Sequence, residues 1–203
     1  MNEKDVLKVF KSEKALLTGH FLLSSGLHSS NYMQCALLFQ KPWIAETLCV
    51  ALAKKLKAIK VDTVIGAALG GVIVSYEMGR ALHVRSLFAE RLPAGQAGIA
   101  GALVLRRGFS LKKNERVLIV EDVVTTGKST REVIEIVKQQ GAKLAAVASI
   151  VDRSAGAAIF GTNFFSLLKI NIKIYQPDAC PLCHKGTSPV VKPGSRGLQN
   201  QGK

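Results

Sequence analysis

Short apolar runs alternate with amphipathic stretches between residues 61 and 151, and this alternation constrains the fold more than any other feature. Runs typical of buried strands occupy residues 61–65, 84–89, 117–120 and 144–151. Residues 72–82 and 129–140 have helical periodicity, and Gly141 follows the second of them. Strands that are apolar throughout are typical of a parallel sheet with helices on both faces. We therefore predict an α/β fold with a central, mostly parallel sheet flanked by helices.

Two more helices and a hairpin are predicted before this alternation begins. Apolar side chains form a loose helical stripe over residues 2–17 and a clearer one over residues 42–58. Residues 21–34 are rich in serine around Gly26, which indicates two short strands joined by a turn. After Tyr175 the chain becomes rich in Pro, Gly, Ser and Lys, which predicts an extended tail against the body.

The excess of basic over acidic residues indicates an anionic binding partner. The chain has 28 Lys and Arg residues against 14 Asp and Glu residues, a formal net charge of +14. Such a balance favours nucleic-acid binding through counterion release. However, acidic residues are interleaved with the basic ones, and no stripe of aromatic and basic side chains is visible. Nucleic acid is therefore disfavoured, and attraction of a polyanionic small substrate accounts for the same charge.

Neither a membrane span nor a secretory leader is expected. The longest stretch without Asp, Glu, Lys or Arg covers residues 15–40, and two histidines, several serines, Asn31 and Gln34 interrupt it. Residues 1–14 alternate acidic and basic side chains without an apolar segment. We therefore expect a cytoplasmic enzyme or binding protein.

The stretch "VLIVEDVVTTGKST", residues 117–130, has the Gly-Lys-Ser ending of a phosphate loop of ATP- and GTP-binding proteins. That loop requires a glycine five residues before Gly127, and Asp122 occupies this position. A nucleotide-hydrolysing phosphate loop is therefore excluded. Gly127 permits a tight turn at the start of the following helix, where free N–H groups and the hydroxyls of Thr125, Thr126, Ser129 and Thr130 favour a phosphate. Ordinary N-capping is the alternative interpretation.

An acidic pair, Glu121 and Asp122, comes shortly before this turn. Two carboxylates beside a phosphate site would repel the ligand unless they contact another part of it, and vicinal sugar hydroxyls fit that role. The combination indicates a ribose with a 5′-phosphate. Strand-end acids that face solvent remain the alternative.

The same stretch resembles the phosphoribosyl pyrophosphate motif of type I phosphoribosyltransferases, in which a hydrophobic strand, two acids and a Thr-Gly-rich turn follow one another. The resemblance implies that family's fold, with one domain over residues 1–175, an N-terminal hood over about residues 1–40 and a tail over residues 176–203. It also implies a mobile catalytic loop over residues 91–101, which contain three glycines and no charge after Arg91. A long hairpin connection is the alternative for this loop.

Three further segments resemble orotate phosphoribosyltransferases and extend the similarity over nearly the whole chain. Residues 19–35, "GHFLLSSGLHSSNYMQC", resemble the hood that covers the base, residues 66–71, "GAALGG", resemble the pyrophosphate loop, and residues 151–156, "VDRSAG", resemble the base-recognition strand end. The resemblance places Tyr32 and Met33 over the base and assigns Arg153 to the orotate, because a guanidinium suits an anionic pyrimidine.

The reaction implied by the resemblance is transfer of the phosphoribosyl group from 5-phosphoribosyl 1-pyrophosphate (PRPP) to orotate, which gives orotidine 5′-phosphate and pyrophosphate. It implies a homodimer and Mg²⁺ that is held mainly by the substrate near Glu121 and Asp122, without a direct side-chain ligand. Catalytic roles fall on Glu121, Asp122 and Arg91. PRPP binding falls on Gly70, Gly71, Arg91, Glu121, Asp122, Val123, Val124, Thr125, Thr126, Gly127, Lys128 and Ser129. Orotate binding falls on Tyr32, Met33, Thr125 and Arg153.

The sequence departs from the family pattern in its cations. Many family members have a lysine where this chain has Gly70, and lysines with a histidine in the mobile loop, where it continues from Leu92 without them. Arg91, and Arg106 with Arg107, are the candidates to supply that charge. A purine phosphoribosyltransferase and a non-catalytic regulator that binds nucleic acid therefore remain as alternatives.

Four cysteines, Cys35, Cys49, Cys180 and Cys183, are too few for a disulfide framework and are expected to be reduced thiols. With His184, the last two match the CxxCH pattern of haem attachment, and they also match half of a zinc site. A plain turn in the tail is favoured over both interpretations.

Overall fold

The computed structural model describes residues 1–23, 25–96, 98–186 and 188–193. The strands are β1 (Leu16–Leu22), β2 (His28–Met33), β3 (Thr63–Ala67), β4 (Arg85–Arg91), β5 (Leu103–Leu105), β6 (Arg116–Val124), β7 (Lys143–Asp152), β8 (Phe164–Lys169) and β9 (Ile174–Tyr175). The α-helices are α1 (Glu3–Ser12), α2 (Ala36–Phe39), α3 (Pro42–Lys55), α4 (Gly70–Leu82), α5 (Lys128–Gln139) and α6 (Pro181–Lys185), and a 3₁₀ helix covers Pro177–Ala179.

Six strands form the central sheet in the order β5-β4-β3-β6-β7-β8. All neighbouring strands are parallel except β4 and β5, which are antiparallel. The predicted α/β fold with a mostly parallel sheet is therefore confirmed. Because β3 and β6 are neighbours and parallel, the loops that follow them emerge at the same edge of the sheet.

Helices cover both faces of this sheet, and β6 shows why its strands are apolar throughout. Val117 and Ile119 of β6 pack in one core with α5, while Leu118 and Val120 pack in the other core with α1, α3 and α4. All four side chains are fully buried, because successive residues of a strand point to opposite faces. Residues 117–120 of this strand therefore have no solvent-facing position where a polar residue could stand without cost.

The hood is a second sheet of three antiparallel strands in the order β1-β2-β9. The hairpin predicted over residues 21–34 is present, but its first strand already starts at Leu16 and the preceding helix ends at Ser12. Lys14 has the left-handed φ of 52°, which stops the helix before the predicted residue 17. The hood also differs from the predicted range of about 1–40, because β9 and Val191 pair with its strands.

The end of β6 and the segment between β4 and β5 need comparison with the sequence predictions. β6 continues through the acidic pair to Val124 instead of ending at residue 120, because Glu121 and Val124 still pair with β7. β4 and β5 pair as antiparallel neighbours, so the chain between them makes a long hairpin connection, and the mobility of the loop over residues 91–101 stays a prediction. The described residues include no helix both long and apolar enough for a bilayer. Ser24, Ala97, Thr187 and residues 194–203, which fall in the predicted hood, loop and tail, lie outside the described residues.

Candidate active site

A cleft of about 240 Å³ opens at the carboxyl edge of the central sheet. Residues 67–70, after β3, form one wall, and residues 121–130, at the end of β6 and the start of α5, form the other. The glycine loop, the acidic pair and the Thr-Thr-Gly-Lys-Ser turn are therefore brought together, as the parallel topology predicts.

The glycine loop is packed too tightly for side chains. A Cβ at Gly66 would overlap with the backbone carbonyl of Gly71, and a Cβ at Gly70 would overlap with the carboxylate of Asp122. The backbone of the loop therefore lies directly against the acidic wall of the cleft, and only glycine allows this approach.

The two acids of the cleft are perturbed by burial. Glu121 is 7% exposed, and its pKa is raised to about 8, first by burial and then by the charge of Asp122. A hydrogen bond with Thr130 and the charge of Arg91 act in the opposite direction. Burial also raises the pKa of Asp122, although the backbone N–H of Val123 donates to its Oδ1 over 2.8 Å. Both carboxyls therefore favour a ligand that brings positive charge or hydrogen-bond donors.

The turn at residues 125–129 has the geometry of an anion site. Gly127 has a φ of 74° and precedes the first residue of α5, so the free N–H groups of the helix face the cleft edge. A Cβ at this glycine would also meet the ring of Phe160 at 2.7 Å. Thr125, Thr126 and Lys128 are exposed here, and Thr130 is buried beneath them. The backbone is thus held in place while its donors remain available.

Arg91 lies at the end of β4 and reaches the same helix. Its guanidinium donates to the Ser129 hydroxyl over 3.4 Å and to the Gly101 carbonyl over 2.9 Å, and it forms an ion pair with Glu132. The structure therefore places Arg91 beside the turn. None of Arg91, Arg106 and Arg107 belongs to the described lining of the cleft, but Arg91 contacts the lining residue Ser129, whereas Arg106 and Arg107 pair with Glu90.

Arg153 follows the end of β7, and its backbone N–H donates to the Val124 carbonyl over 2.8 Å. Its guanidinium is partly buried, and within the described part of the chain Nε is a buried donor without a hydrogen-bond partner. Burial lowers the pKa of Arg153, while the charge of Tyr32 raises it. Tyr32 in turn has its pKa raised by burial first and by Asp122 next. Tyr32 is thus within electrostatic reach of both Arg153 and Asp122.

The predicted site residues do not all face the cleft. Met33 is 4% exposed and packs in the core with α1 and α3, whereas its neighbour Tyr32 is half-buried next to Arg153. Val123 and Val124 both line the cleft, although the Val123 side chain packs towards the core and Val124 is almost fully buried. Gly71 is buried and is not among the described lining residues. The sequence interpretation missed Glu132, which binds Arg91, and its only signal is the position three residues after Ser129 on a predicted helix.

These features define a phosphoribosyltransferase, and residues 44–181 match the family of the phosphoribosyl transferase domain. The chain is 55% identical to the orotate phosphoribosyltransferase of Carboxydothermus hydrogenoformans over 194 residues, which cover 95% of this chain and 97% of that protein. The chain therefore belongs to the orotate phosphoribosyltransferase family.

Solved structures agree with this assignment. The crystal structure of orotate phosphoribosyltransferase from Aeropyrum pernix matches with a TM-score of 0.69 and 28% identity, covering 81% of this chain and 93% of that chain. Adenine phosphoribosyltransferase from Thermoanaerobacter pseudethanolicus matches with a TM-score of 0.59 and 17% identity, covering 69% of this chain and 88% of that chain. The second likeness shows the fold alone.

Proposed function

We propose that this chain transfers the phosphoribosyl group of PRPP to N1 of orotate, with orotidine 5′-phosphate and pyrophosphate as products. The observation that supports this reaction best is the cleft in which buried acids and a helix start lie side by side. One part of the cleft suits a sugar and the other suits a phosphate, so a phosphorylated pentose fits both.

Residues 125–129 would bind the 5′-phosphate through the free N–H groups at the start of α5 and the hydroxyls of Thr125, Thr126 and Ser129. Glu121 and Asp122 would accept hydrogen bonds from the ribose hydroxyls. Their charge would also stabilise the positive charge that develops on the ribose as the bond to pyrophosphate breaks. Lys128 adds positive charge to the phosphate end of the cleft.

The pyrophosphate would lie between the glycine loop and Arg91. The backbone of Gly70 lines the cleft and can approach a ligand closely because this residue has no side chain. Gly71 is buried against Gly66 and would support the loop from behind. The Arg91 guanidinium already reaches Ser129. Arg91 would exchange its ion pair with Glu132 for the pyrophosphate.

The donor set of the cleft fits Mg²⁺, because carboxylate oxygens and phosphates are the ligands this ion prefers. The raised pKa of Glu121 is consistent with a carboxyl whose positive partner arrives with the ligand. The substrate would hold Mg²⁺ mainly by itself, with Glu121 and Asp122 nearby, and the ion would neutralise the leaving pyrophosphate.

Orotate would bind where Arg153 and Tyr32 meet. The unpartnered Nε of Arg153 is a donor available to the substrate carboxylate, and a guanidinium and a carboxylate pair through two parallel hydrogen bonds. Thr125 would contact the base from the turn. Because orotate arrives as an anion, the chain needs to position it and exclude water rather than supply a strong base.

We also propose a homodimer whose interface includes α3 and α4. These neighbouring helices carry four exposed apolar side chains, and such surfaces mark interaction sites. They are Trp43, Val50, Ile73 and Tyr76.

In each chain, residues 1–175 would form the catalytic domain and the following residues a docked tail. The free thiols of all four cysteines favour a reducing compartment, the cytoplasm.

The decisive experiment follows orotate absorbance with PRPP and Mg²⁺. We expect E121Q combined with D122N to lower kcat by at least about 10³-fold, since both groups act on the developing charge. The matched control is E135Q, an exposed acid of α5 that pairs with Lys138 outside the cleft lining.

Near-normal turnover by the double variant would contradict the proposal. Turnover of adenine or hypoxanthine in place of orotate would favour a purine phosphoribosyltransferase. RNA retention in a gel without any turnover would favour a nucleic-acid-binding regulator.

A further inference from the structure

Four metal-binding side chains converge at the outer end of the hood, away from the described lining of the cleft. His20 lies in β1, His28 lies in β2, and Cys180 and Cys183 lie at the start of α6 and within it. One ligand atom from each side chain can be chosen so that all four atoms lie within 4.8 Å of one another. His20, His28 and Cys180 are buried, whereas Cys183 is exposed.

The distances within this cluster approach those of ligand atoms around one zinc ion, with the two nitrogens a few tenths of an ångström closer together. His20 Nε2 lies 2.9 Å from His28 Nδ1, 3.5 Å from Cys180 Sγ and 3.6 Å from Cys183 Sγ. Cys183 Sγ lies 3.3 Å from His28 Nδ1. Zinc bonds of about 2.3 Å to sulfur and about 2.0–2.1 Å to nitrogen, arranged tetrahedrally, separate sulfur and nitrogen by about 3.6 Å and two nitrogens by about 3.3 Å.

We propose that His20, His28, Cys180 and Cys183 bind one structural zinc ion that ties the C-terminal segment to the hood. Two imidazoles and two thiolates are a common ligand set of structural zinc sites, and Cys-x₂-Cys is a common spacing within them. Four protein ligands leave no position for a substrate or water, so the role is structural rather than catalytic.

The surroundings of His20 support this assignment. Its second ring nitrogen, Nδ1, lies 3.2 Å from the carbonyl oxygen of Ser188. A proton on Nδ1 that is donated to this carbonyl leaves Nε2 unprotonated and turned towards the cluster. Zinc-binding histidines are typically oriented by a carbonyl or carboxylate in this way.

The cluster favours zinc over haem and over a plain turn of the tail. His184, the histidine of the CxxCH pattern, is outside the cluster, and its Nε2 instead lies 3.0 Å from the Asp178 carbonyl oxygen. The two cysteines face His20 and His28, which come from the other end of the sequence. A turn stabilised only by its own residues would not need these partners.

The zinc ion would reinforce the contact between the hood and the C-terminal segment, which backbone hydrogen bonds already make. Val191 N–H donates to the His20 carbonyl over 2.8 Å, and Leu22 N–H donates to the Val191 carbonyl over 2.9 Å. β9 pairs with β2 at His28 itself. Because β2 also carries Tyr32, an ion at this junction would hold the strand that the proposed base site depends on.

Metal analysis of the full chain, purified from zinc-supplemented cells, tests the site directly. We expect about one zinc ion per chain. C183S removes an exposed ligand without disturbing the core and should weaken zinc binding by more than about 100-fold, since loss of outer-shell partners alone costs about 10–100-fold. C49S and H184A are the matched controls, because they remove a cysteine and a histidine outside the cluster, and both should retain zinc.

Two measurements on the unaltered protein avoid any folding defect of a variant. Cobalt(II) exchanged into the site should give the visible bands of a tetrahedral cobalt centre and a thiolate charge-transfer band. Removal of zinc by a chelator should lower the Tm and speed hydrogen exchange in residues 16–22 and 28–33, and added zinc should reverse both changes. None of these readouts uses a substrate, so their failure is independent of the transferase proposal.

Four results would overturn the site. They are a full chain without zinc after supplementation, C183S that retains zinc as the unaltered protein does, iron in place of zinc, and a Cys180–Cys183 disulfide under reducing conditions.

Discussion

Gly70 lies so close to the carboxylate of Asp122 that a methyl group at this position would overlap with it. We therefore expect G70A to displace Asp122 and to lower kcat/KM for PRPP by about 10²-fold, which corresponds to about 2.7 kcal/mol. Steady-state kinetics provide the measurement.

A double-mutant cycle with D122A supplies the control for this prediction. If G70A acts through the carboxylate, G70A/D122A should be no less active than D122A alone, because the overlap has been removed. Additive losses would mean that the glycine acts independently of Asp122.

Because of Glu121, we expect the ligand-free protein to become less stable to unfolding as the pH rises. Folding raises its pKa from 4.5 to about 8, so between these values the folded protein without ligand holds a proton that the unfolded chain releases. The stabilising contribution is complete below the lower value and is lost as the pH rises through the upper one. E121Q cannot ionise, and we expect its Tm to exceed that of the unaltered protein by a margin that grows from about pH 5 to about pH 9.

Scanning calorimetry across that range measures the margin, and E135Q on the exposed side of α5 serves as the control. A margin that does not change with pH would show that Glu121 is ionised throughout. Binding of PRPP with Mg²⁺ should release a proton near pH 8, which titration calorimetry in two buffers detects.

Substitution of Arg153 is expected to weaken orotate binding selectively, without weakening PRPP binding. R153K keeps the charge but cannot form two parallel hydrogen bonds with a carboxylate. We expect the KM for orotate to rise about 10–100-fold, in line with the loss of about 1.5–3 kcal/mol for a hydrogen bond to a charged group, while the KM for PRPP stays nearly constant. R107K, which alters an arginine paired with Glu90, is the matched control. An equal rise in both KM values would place Arg153 outside the base site.

The exposed apolar side chains of α3 and α4 are the proposed homodimer interface, so a charge placed among them should separate the dimer. Tyr76 is 65% exposed and Trp43 is 64% exposed. Y76D would place a charge within the proposed interface, and we expect it to shift sedimentation from dimer to monomer at micromolar concentration. I159D, at another exposed apolar position, should remain dimeric. A monomeric unaltered protein, or a Y76D variant that stays dimeric, would contradict this interface.

The sequence predicted the elements whose side chains follow a regular period. α5, observed over residues 128–139 and predicted over residues 129–140, has a buried stripe that the sequence itself displays. β5 and β9 were missed because strands of three and two residues are too short to show a pattern, and both depend on partners elsewhere in the chain. The continuation of β6 was missed because Glu121 interrupts an apolar run even though its backbone still pairs with Ser149.

In the candidate site, motifs formed by one contiguous stretch could be predicted, whereas contacts between residues far apart in the sequence could not. The acidic pair and the turn at Gly127 belong to one contiguous stretch, and their approach follows from the order of the strands. The pairing of Arg106 and Arg107 with Glu90 depends on the register in which β4 pairs with β5, which the sequence does not reveal. The meeting of His20 with Cys180 depends on how the tail docks, and no periodicity records that contact.

The hood sheet draws its strands from opposite ends of the sequence, since β1 and β2 are completed only by β9 and Val191. During synthesis on the ribosome, every strand of the central sheet therefore emerges before the hood has all of its partners. A nascent chain interrupted after β8 would carry the proposed PRPP-binding elements but would lack the completed hood sheet over the proposed orotate site. If the hood excludes water from the proposed site, that exclusion is thus completed only after the whole central sheet has been synthesised.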